Sequence, residues 1–207
     1  WADTPEENYW LDWLEQRPFT TLFVDGNHEN FRRLDTFPVR TWRGGSVHQI
    51  RLHVLHLMRG QLYEIMGKTF FTMGGAKSHD VEDGILDPAD PNFRAQQSAL
   101  KRSGRNRFRV LGRSWWPEEL PSDGEYYTAL KTLERTNWHV DYVITHCAST
   151  SIALSMNRHN EADHLTEFLE MVDRRLEYEY WFFGHFHDNR SVDQKHILLW
   201  DQIVQIL

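Results

Sequence analysis

The sequence predicts an α/β fold that contains at least two β-sheets or one large mixed sheet. Helical and strand-like segments alternate towards both ends of the chain, and residues 46–73 are rich in short strand-like runs. Glycines separate these runs, as turn residues do. We therefore expect helices packed on β-sheet structure.

The first third of the sequence predicts one helix followed by a series of strands. Residues 8–16 have the pattern of a short helix that buries Trp10, Leu11 and Leu14. Residues 21–24 form a brief β-rich run that ends at the turn signal Asp25-Gly26. Four further strands are expected at residues 47–50, 52–57, 62–65 and 69–73.

The second half of the sequence predicts two helices and several strands. Ser122, with Glu125 three residues later, is the capping-box pattern of a helix that extends to about residue 134. A strand of the buried type at 141–145 ends at His146, and strands are expected at 178–183, 197–200 and 203–207. The clearest amphipathic helix has apolar residues at helical spacing: Leu165, Phe168, Leu169, Val172 and Leu176.

Composition favours a globular protein of one domain. The chain has 207 residues, 30 acidic and 23 basic side chains, a net charge of −7 and a mean hydropathy of −0.63. Its apolar stretches are too short to cross a bilayer, which excludes a transmembrane helix. The single cysteine, Cys147, excludes an internal disulfide and a zinc site with several thiolates. With no secretory-signal pattern at the start, a cytoplasmic location is expected.

A loop-rich, basic insertion is expected at about residues 78–121 of the single domain, which spans residues 1–207. Seven cationic and no acidic residues lie between residues 92 and 117. Arg105, Arg107 and Arg109 are interpreted as a surface that steers a phosphorylated or nucleic-acid substrate, and Trp115 and Trp116 as rings that stack on a base or cover a cleft. The alternatives are a solvated charged face and two buried apolar anchors.

Three segments share one layout, in which an apolar strand ends in Gly or Thr and polar residues follow. The segments are residues 22–29, 142–146 and 181–187. In open α/β sheets, functional groups gather at the carboxyl ends of strands, so we expect these residues to share a cleft. His185 and His187 are two residues apart, and an extended backbone would place both imidazoles on one side with Phe186 turned away.

Each of these pieces has an ordinary structural explanation. An Asn-His pair after a strand is usually a turn device, and an isolated histidine such as His146 is more often hydrogen-bonded in the core or at the surface. The ordered occurrence of all three pieces at strand ends favours a metal site instead. Its candidate ligands are Asn27, His146, His185 and His187.

These residues resemble a known family. Gly26-Asn27-His28-Glu29, Thr145-His146 and Gly184-His185-x-His187 resemble the last three sequence blocks of the calcineurin-like metallophosphoesterases. Residues 9–14, 23–31, 56–60, 74–80 and 114–117 are similar to a bacterial and phage branch of that family, so the resemblance covers essentially the whole chain. It implies a fold of two stacked mixed β-sheets flanked by helices, an α/β/β/α sandwich.

The resemblance also implies a site and a reaction. Asn27, His146 and His185 would hold one of two divalent metal ions, His187 would help to hold the second, and catalytic His28 would assist the leaving oxygen. A metal-bound hydroxide would attack a phosphomonoester or phosphodiester, with a phosphorylated small molecule, a nucleotide or a nucleic acid as the substrate. Nitrogen and oxygen ligands suit Mn, Fe or Zn.

The chain departs from the family pattern at its start. The Asp-x-His block and the Gly-Asp block, whose aspartate bridges the two metals, do not precede Gly26-Asn27. The branch carries a Trp shortly after the Gly-Asp block, and Trp1 corresponds to it, which predicts an N-terminally truncated sequence. The alternative hypothesis is a non-catalytic binding or scaffold module of the same fold with an incomplete metal site. Ser78-His79-Asp80 is interpreted as a loop near the cleft, since three consecutive residues cannot form a catalytic relay.

Overall fold

The computed structural model describes residues 3–156 and 161–206 of the chain. The helices are α1 (Pro5–Glu15), α2 (Phe31–Leu34), α3 (Phe93–Arg102), α4 (Asp123–Arg135), α5 (Thr150–Met156) and α6 (His164–Arg175). The strands are β1 (Thr21–Phe23), β2 (Val39–Trp42), β3 (Gly45–Gln49), β4 (Val54–Leu57), β5 (Gln61–Ile65), β6 (Lys68–Met73), β7 (Ile85–Leu86), β8 (Arg109–Val110), β9 (Tyr142–Thr145), β10 (Tyr180–Phe183), β11 (Arg190–Ser191) and β12 (His196–Leu198). A short 3-10 helix spans Pro117–Glu119.

These strands form two large mixed sheets and one small one. The first sheet has the order β1-β4-β3-β2, with β1 and β4 parallel and the other pairs antiparallel. The second has the order β11-β12-β10-β9-β6-β5, and its four central strands are parallel. The small sheet pairs β7 with β8. The expectation of an α/β fold with mixed sheets and flanking helices is confirmed.

The two large sheets pack face to face, because their strands present apolar side chains on alternate sides. Phe70, Tyr142 and Phe182 of the second sheet share a core with Val47 and Leu55 of the first. The next residues along the second sheet point the other way, so that helices α4 and α6 cover its outer face: Phe71, Val143, Trp181, Phe183, Leu133, Leu165 and Leu169 form this core. Helices α1 and α2 cover the outer face of the first sheet.

Several predicted elements form as expected. Ser122 and Glu125 make the reciprocal capping box at the start of α4, and α6 buries Leu165, Phe168, Leu169 and Val172. Strands β5 and β6 lie where the sequence places them. No helix of the described residues has the length and apolar character that crossing a membrane requires.

Other predictions are wrong. Trp10 is 54% exposed because it lies on the outer side of α1, whose buried residue is Leu11. Strand β4 begins at Val54, and Leu52 is exposed in the turn before it. Residues 203–206 are not a strand, since no neighbouring strand pairs with them, and Ile203 is fully exposed. Leu207, the last residue of that predicted strand, lies outside the described residues, as does Trp1.

The segment 78–121 is less irregular than its composition suggests. It contains β7, α3, β8 and the short 3-10 helix, and irregular backbone connects them. Helix α3 has no fully buried residue, and it contacts β7. Its apolar residues Phe93 and Leu100 are only half-buried, so α3 lies at the surface of the protein and not in its core.

A buried histidine links β12 to α6 and to the segment between α6 and β10. His196 Nδ1 faces Asp193 Oδ2 at 2.8 Å, and His196 Nε2 faces Asp173 Oδ1 at 3.2 Å and the Tyr178 hydroxyl at 2.9 Å. Burial lowers the pKa of His196, but the hydrogen bonds to the two carboxylates raise it more, so the net pKa lies above the ordinary 6.5.

We expect His196→Gln to remove a pH-dependent part of the free energy of unfolding. Because the folded-state pKa of His196 lies above 6.5, its stabilising contribution is fully present below pH 6.5 and is lost as the pH rises through the raised pKa. Urea unfolding between about pH 6 and pH 8 should show that the wild-type advantage over the variant shrinks as the pH rises. His139→Gln is the control, because His139 is exposed. A wild-type advantage that does not change with pH would contradict this explanation.

Candidate metal centre

The carboxyl ends of strands from both large sheets meet at one edge of the sandwich. The parallel strands β6, β9 and β10 are neighbours in the second sheet, and β1 belongs to the first. Asn27 follows β1, His146 follows β9 directly, and His185 follows β10. Residues separated by up to 158 positions therefore lie together, as the rule for strand ends anticipates.

Three of the four candidate ligands contact one another. Asn27 Oδ1 lies 3.1 Å from His146 Nε2. The rings of His146 and His185 are edge to face, with their centroids 5.2 Å apart. Asn27 is buried, and the two histidines are half-buried, so the cluster lies at the base of an open cleft.

His187, the fourth candidate ligand, takes a different direction. His185 and His187 both have left-handed backbone conformations, with φ of 68° and 50°, so the backbone is not extended as the sequence suggested. The Phe186 amide donates to the Gly184 carbonyl at 2.8 Å and bends the chain between the two histidines. His187 is exposed, and its ring stacks on Trp200 with a centroid separation of 5.8 Å. Phe186 packs partly against the helix-covered core, but it also lines the cavity beside His185, so it does not turn away from that histidine as expected.

The orientation of the Asn27 amide is set by its hydrogen bonds. The Ser78 hydroxyl donates to Glu119 Oε2 at 2.6 Å, so Ser78 Oγ is left to accept from Asn27 Nδ2 at 3.2 Å. Asn27 Nδ2 also lies 3.3 Å from His28 Nε2, which accepts its second hydrogen. The amide oxygen is therefore the atom that faces His146.

His28 lies on the solvent side of Asn27. Since its Nε2 accepts from the Asn27 amide, neutral His28 carries its proton on Nδ1. Partial burial lowers the pKa of His28, and the positive charge of Arg109 lowers it further. His28 is exposed, so its proton-bearing side is accessible to a ligand in the cleft.

The two clustered histidines are neutral at pH 7. Burial lowers the pKa of His146 to about 4 and that of His185 to about 3, and neighbouring histidines add to both effects. Neutral imidazole is the form that binds a metal ion. Neutral imidazole rings are also good hydrogen-bond partners in a protein without metal.

A divalent ion fits part of this arrangement. Two neighbouring ligands at about 2.1 Å from one ion lie about 3 Å apart, which is close to the separation of Asn27 Oδ1 and His146 Nε2. His185 Nε2, however, lies 2.9 Å from His79 Nε2. In the parts of the chain that the structure describes, no group of three or more His, Cys, Asp or Glu side chains could hold a metal ion. The cluster thus offers one close pair of neutral O and N donors, Asn27 Oδ1 and His146 Nε2, and not a complete set of ligands.

Gly26 makes room for the imidazole of His146. A Cβ atom at position 26 would lie 2.9 Å from His146 Cε1 and 3.0 Å from His146 Nε2, closer than real side chains approach. The glycine before Asn27 is therefore required by packing rather than by its backbone angles.

A buried ion pair holds the loop that carries Asn27. Burial raises the pKa of Asp25, but Arg59 and His56 lower it more, and the net pKa is well below its usual range. Arg59 Nε donates to Asp25 Oδ2 at 2.9 Å, and His56 Nε2 lies 3.1 Å from Asp25 Oδ1. Arg59 also donates to the carbonyl of Glu118 at 2.8 Å.

The predicted substrate-binding residues are placed unevenly around the cleft. Arg107 lines a cavity of about 740 Å³ that opens beside His79 and His185. Arg109 is near enough to His28 to lower its pKa. Trp116 is only 4% exposed and offers no face to a substrate, so its placement matches the alternative of a buried anchor. Trp115 is half-buried and Arg105 is exposed.

Three residues that contact the cluster have no predicted role in the site. Ser78 and Glu119 orient Asn27, and His79 contacts His185. The sequence pattern could have indicated two of them, Ser78 and His79. They follow β6 in the same layout of strand, glycine and polar residues as the three chosen segments. The interpretation of residues 78–80 as a loop near the cleft agrees with these contacts. Glu119 has no local signal.

Comparison with models of protein families, with curated proteins and with solved structures found no match.

We expect Gly26→Ala to lower the free energy of unfolding by about 1–3 kcal/mol, because the new methyl group would displace the His146 ring. Urea unfolding measures the loss, and the NMR signals of the His146 imidazole should shift. The control is Gly124→Ala, since a Cβ there would lie 3.9 Å from its nearest neighbour, Ser122 Oγ. Equal stabilities of the two variants would show that Gly26 has no packing role.

We expect Arg59→Leu to destabilise the protein by about 3–5 kcal/mol, because it leaves the carboxylate of Asp25 buried and unpaired. Arg174→Leu, which removes an exposed pair with Glu170, should cost less than about 1 kcal/mol. Chemical denaturation of both variants at neutral pH makes the comparison. A loss for Arg59→Leu no larger than that for Arg174→Leu would mean that the pair does not hold the loop.

Proposed function

We propose that this protein is a metal-dependent phosphoesterase that hydrolyses a phosphomonoester or a phosphodiester. The observation that carries the proposal is the meeting of Asn27, His146 and His185 at the carboxyl ends of three strands from two sheets. The resemblance of the strand-end segments to calcineurin-like metallophosphoesterase blocks supports the same assignment.

Asn27, His146 and His185 are the residues that would hold a divalent ion. When bound, such ions lower the pKa of water and offset negative charge on a phosphoryl group. To bind through Nε2, His146 would have to carry its proton on Nδ1, since Nε2 now faces the Asn27 oxygen. The bonds from Ser78 and Glu119 would keep the Asn27 oxygen directed at the same position.

His28 would act on the leaving group. It is exposed at the mouth of the cleft, it is fixed by the Asn27 amide, and it holds its proton at Nδ1. A hydrogen-bond donor at this point could stabilise the negative charge that develops on the leaving oxygen as the phosphorus–oxygen bond breaks. The cavity beside His185 and His79 has a volume of about 740 Å³, which is large enough for a nucleotide-sized substrate.

A non-catalytic binding module is the second candidate function. The stacking of His187 on Trp200 favours it, because this arrangement draws one predicted ligand out of the cluster. The contact of His185 with His79 occupies Nε2 of a second predicted ligand, His185. In such a module, the cleft would bind a phosphorylated molecule without hydrolysing it.

We expect His185→Ala to lower Mn²⁺ affinity and Mn²⁺-dependent hydrolysis of p-nitrophenyl phosphate or its bis-ester by more than about 100-fold, since it removes a ligand. Calorimetry measures metal binding, and release of nitrophenol measures turnover. His139→Ala is the matched control, because His139 is exposed and its ring is 3.5 Å from Glu177, away from the cleft. Full metal affinity and turnover in His185→Ala would disprove the assignment.

A folded wild-type protein that binds phosphate esters without any turnover would favour the binding module.

A further inference from the structure

The basic segment between residues 92 and 117 contains two groups of cations that differ in their surroundings. In the first group, each arginine faces an acidic side chain from the loop before β7. These pairs are Arg105–Asp83 at 4.0 Å, Arg107–Glu82 at 3.0 Å and Arg109–Asp80. Their charge is therefore largely compensated within the protein, although these are the residues that the sequence suggested as a steering surface.

The second group lies on α3 and has no such compensation. Arg94, Lys101 and Arg102 are exposed, and none of them forms an ion pair with any residue in the described ranges. The carboxylate of Asp90, just before α3, accepts from Gln96 Nε2 at 3.0 Å, but acidic residues are absent from positions 91–117. This is a local positive surface on a chain whose net charge is −7.

Two cations of α3 lie on one side of the helix. Arg94 and Lys101 are seven residues apart, which on an α-helix places them within about 20° of one another and about 10 Å apart along the axis. Ser98, which is four residues after Arg94 on the same side of the helix and is also exposed, adds a neutral hydrogen-bonding group of the kind that contacts phosphate oxygens.

Another side of α3 is attached to the protein. Phe93, Gln97 and Leu100 are half-buried, and the helix contacts β7. An amphipathic helix that enters a membrane surface exposes its apolar face, whereas α3 turns that face inwards. The exposed side of α3 therefore suits a water-filled contact with a polyanion.

The small sheet connects α3 to the candidate metal centre. Strand β7, which α3 contacts, pairs with β8, and β8 carries Arg109. Arg109 affects the pKa of His28, and Arg107 lines the cavity beside His185. A polymer that lies along α3 could thus continue into the cleft.

We infer that the exposed face of α3 binds the phosphate backbone of a single-stranded nucleic acid and presents that strand to the cleft. As an assignment of substrate class, this inference rests on the proposed phosphoesterase function. As an assignment of binding, it rests on the uncompensated charges of α3 alone.

Fluorescence anisotropy with a labelled oligo-dT of about 20 nucleotides, longer than a single contact site, tests the inference. The wild type should bind in a salt-dependent way between about 50 and 200 mM salt. The triple variant R94Q/K101Q/R102Q should bind about 100-fold more weakly near 100 mM salt, and the slope of log affinity against log salt should fall by about 2, as expected for three lost phosphate contacts.

The matched control is R40Q/K131Q/R174Q, which removes three exposed cations from other surfaces. It should leave the affinity and the slope unchanged. Circular dichroism checks that each variant is folded, and R94Q/K101Q provides a milder second test with a slope change of about 1.4. Equal losses in the two triple variants, or salt-independent binding, would overturn the inference. Stronger binding to anionic lipid vesicles than to oligo-dT would also overturn it.

Turnover of p-nitrophenyl phosphate separates this inference from the proposed function. Nucleic-acid binding that depends on α3 in a protein without turnover would support the binding assignment and refute the phosphoesterase. Turnover in a protein that does not bind oligo-dT would support the phosphoesterase and refute the binding assignment. If the wild type both binds oligo-dT and hydrolyses p-nitrophenyl phosphate, the α3 triple variant should keep its turnover of the small ester and lose cleavage of the polymer.

Discussion

The buried ion pair between Asp25 and Arg59 is the interaction on which the candidate site depends. Asp25 directly precedes Gly26-Asn27 at the end of a strand of the first sheet, and Arg59 lies beyond a neighbouring strand. The carbonyl of Asp25 also accepts from the amide of Gly75, which follows a strand of the second sheet. Because an unpaired charge at this depth is costly, the pair fixes the loop that carries Asn27 relative to both sheets.

A chain of hydrogen bonds then decides which atom of Asn27 faces the cleft. It runs from Glu119 through Ser78 to the Asn27 amide, and the amide oxygen faces His146. A rotated amide would leave buried polar groups without partners, so the network favours one orientation. The consequence is a preorganised, neutral donor pair at the strand ends, which is the feature that a metal-dependent phosphoesterase would use.

The fold also separates charges that are adjacent in the sequence. Arg105 and Arg107 are compensated by acidic residues from the preceding loop, whereas Arg94 and Lys101 on α3 face solvent. A count of charges along the chain treats these arginines and lysines as equivalent. Their different surroundings move the expected contact with a polyanion away from the arginines nearest the cleft and on to the helix.

The sequence by itself determined the mixed α/β fold, the capped helix that begins after Ser122, and the strands that end before Asn27, His146 and His185, because such features depend on neighbouring residues. Only the tertiary structure decided that His185 contacts His79, 106 residues away, and that His187 turns to Trp200. It also decided that the aromatic ring of Trp10 stays exposed. These outcomes depend on how distant segments pack and where the backbone bends, and a local pattern carries no information about either.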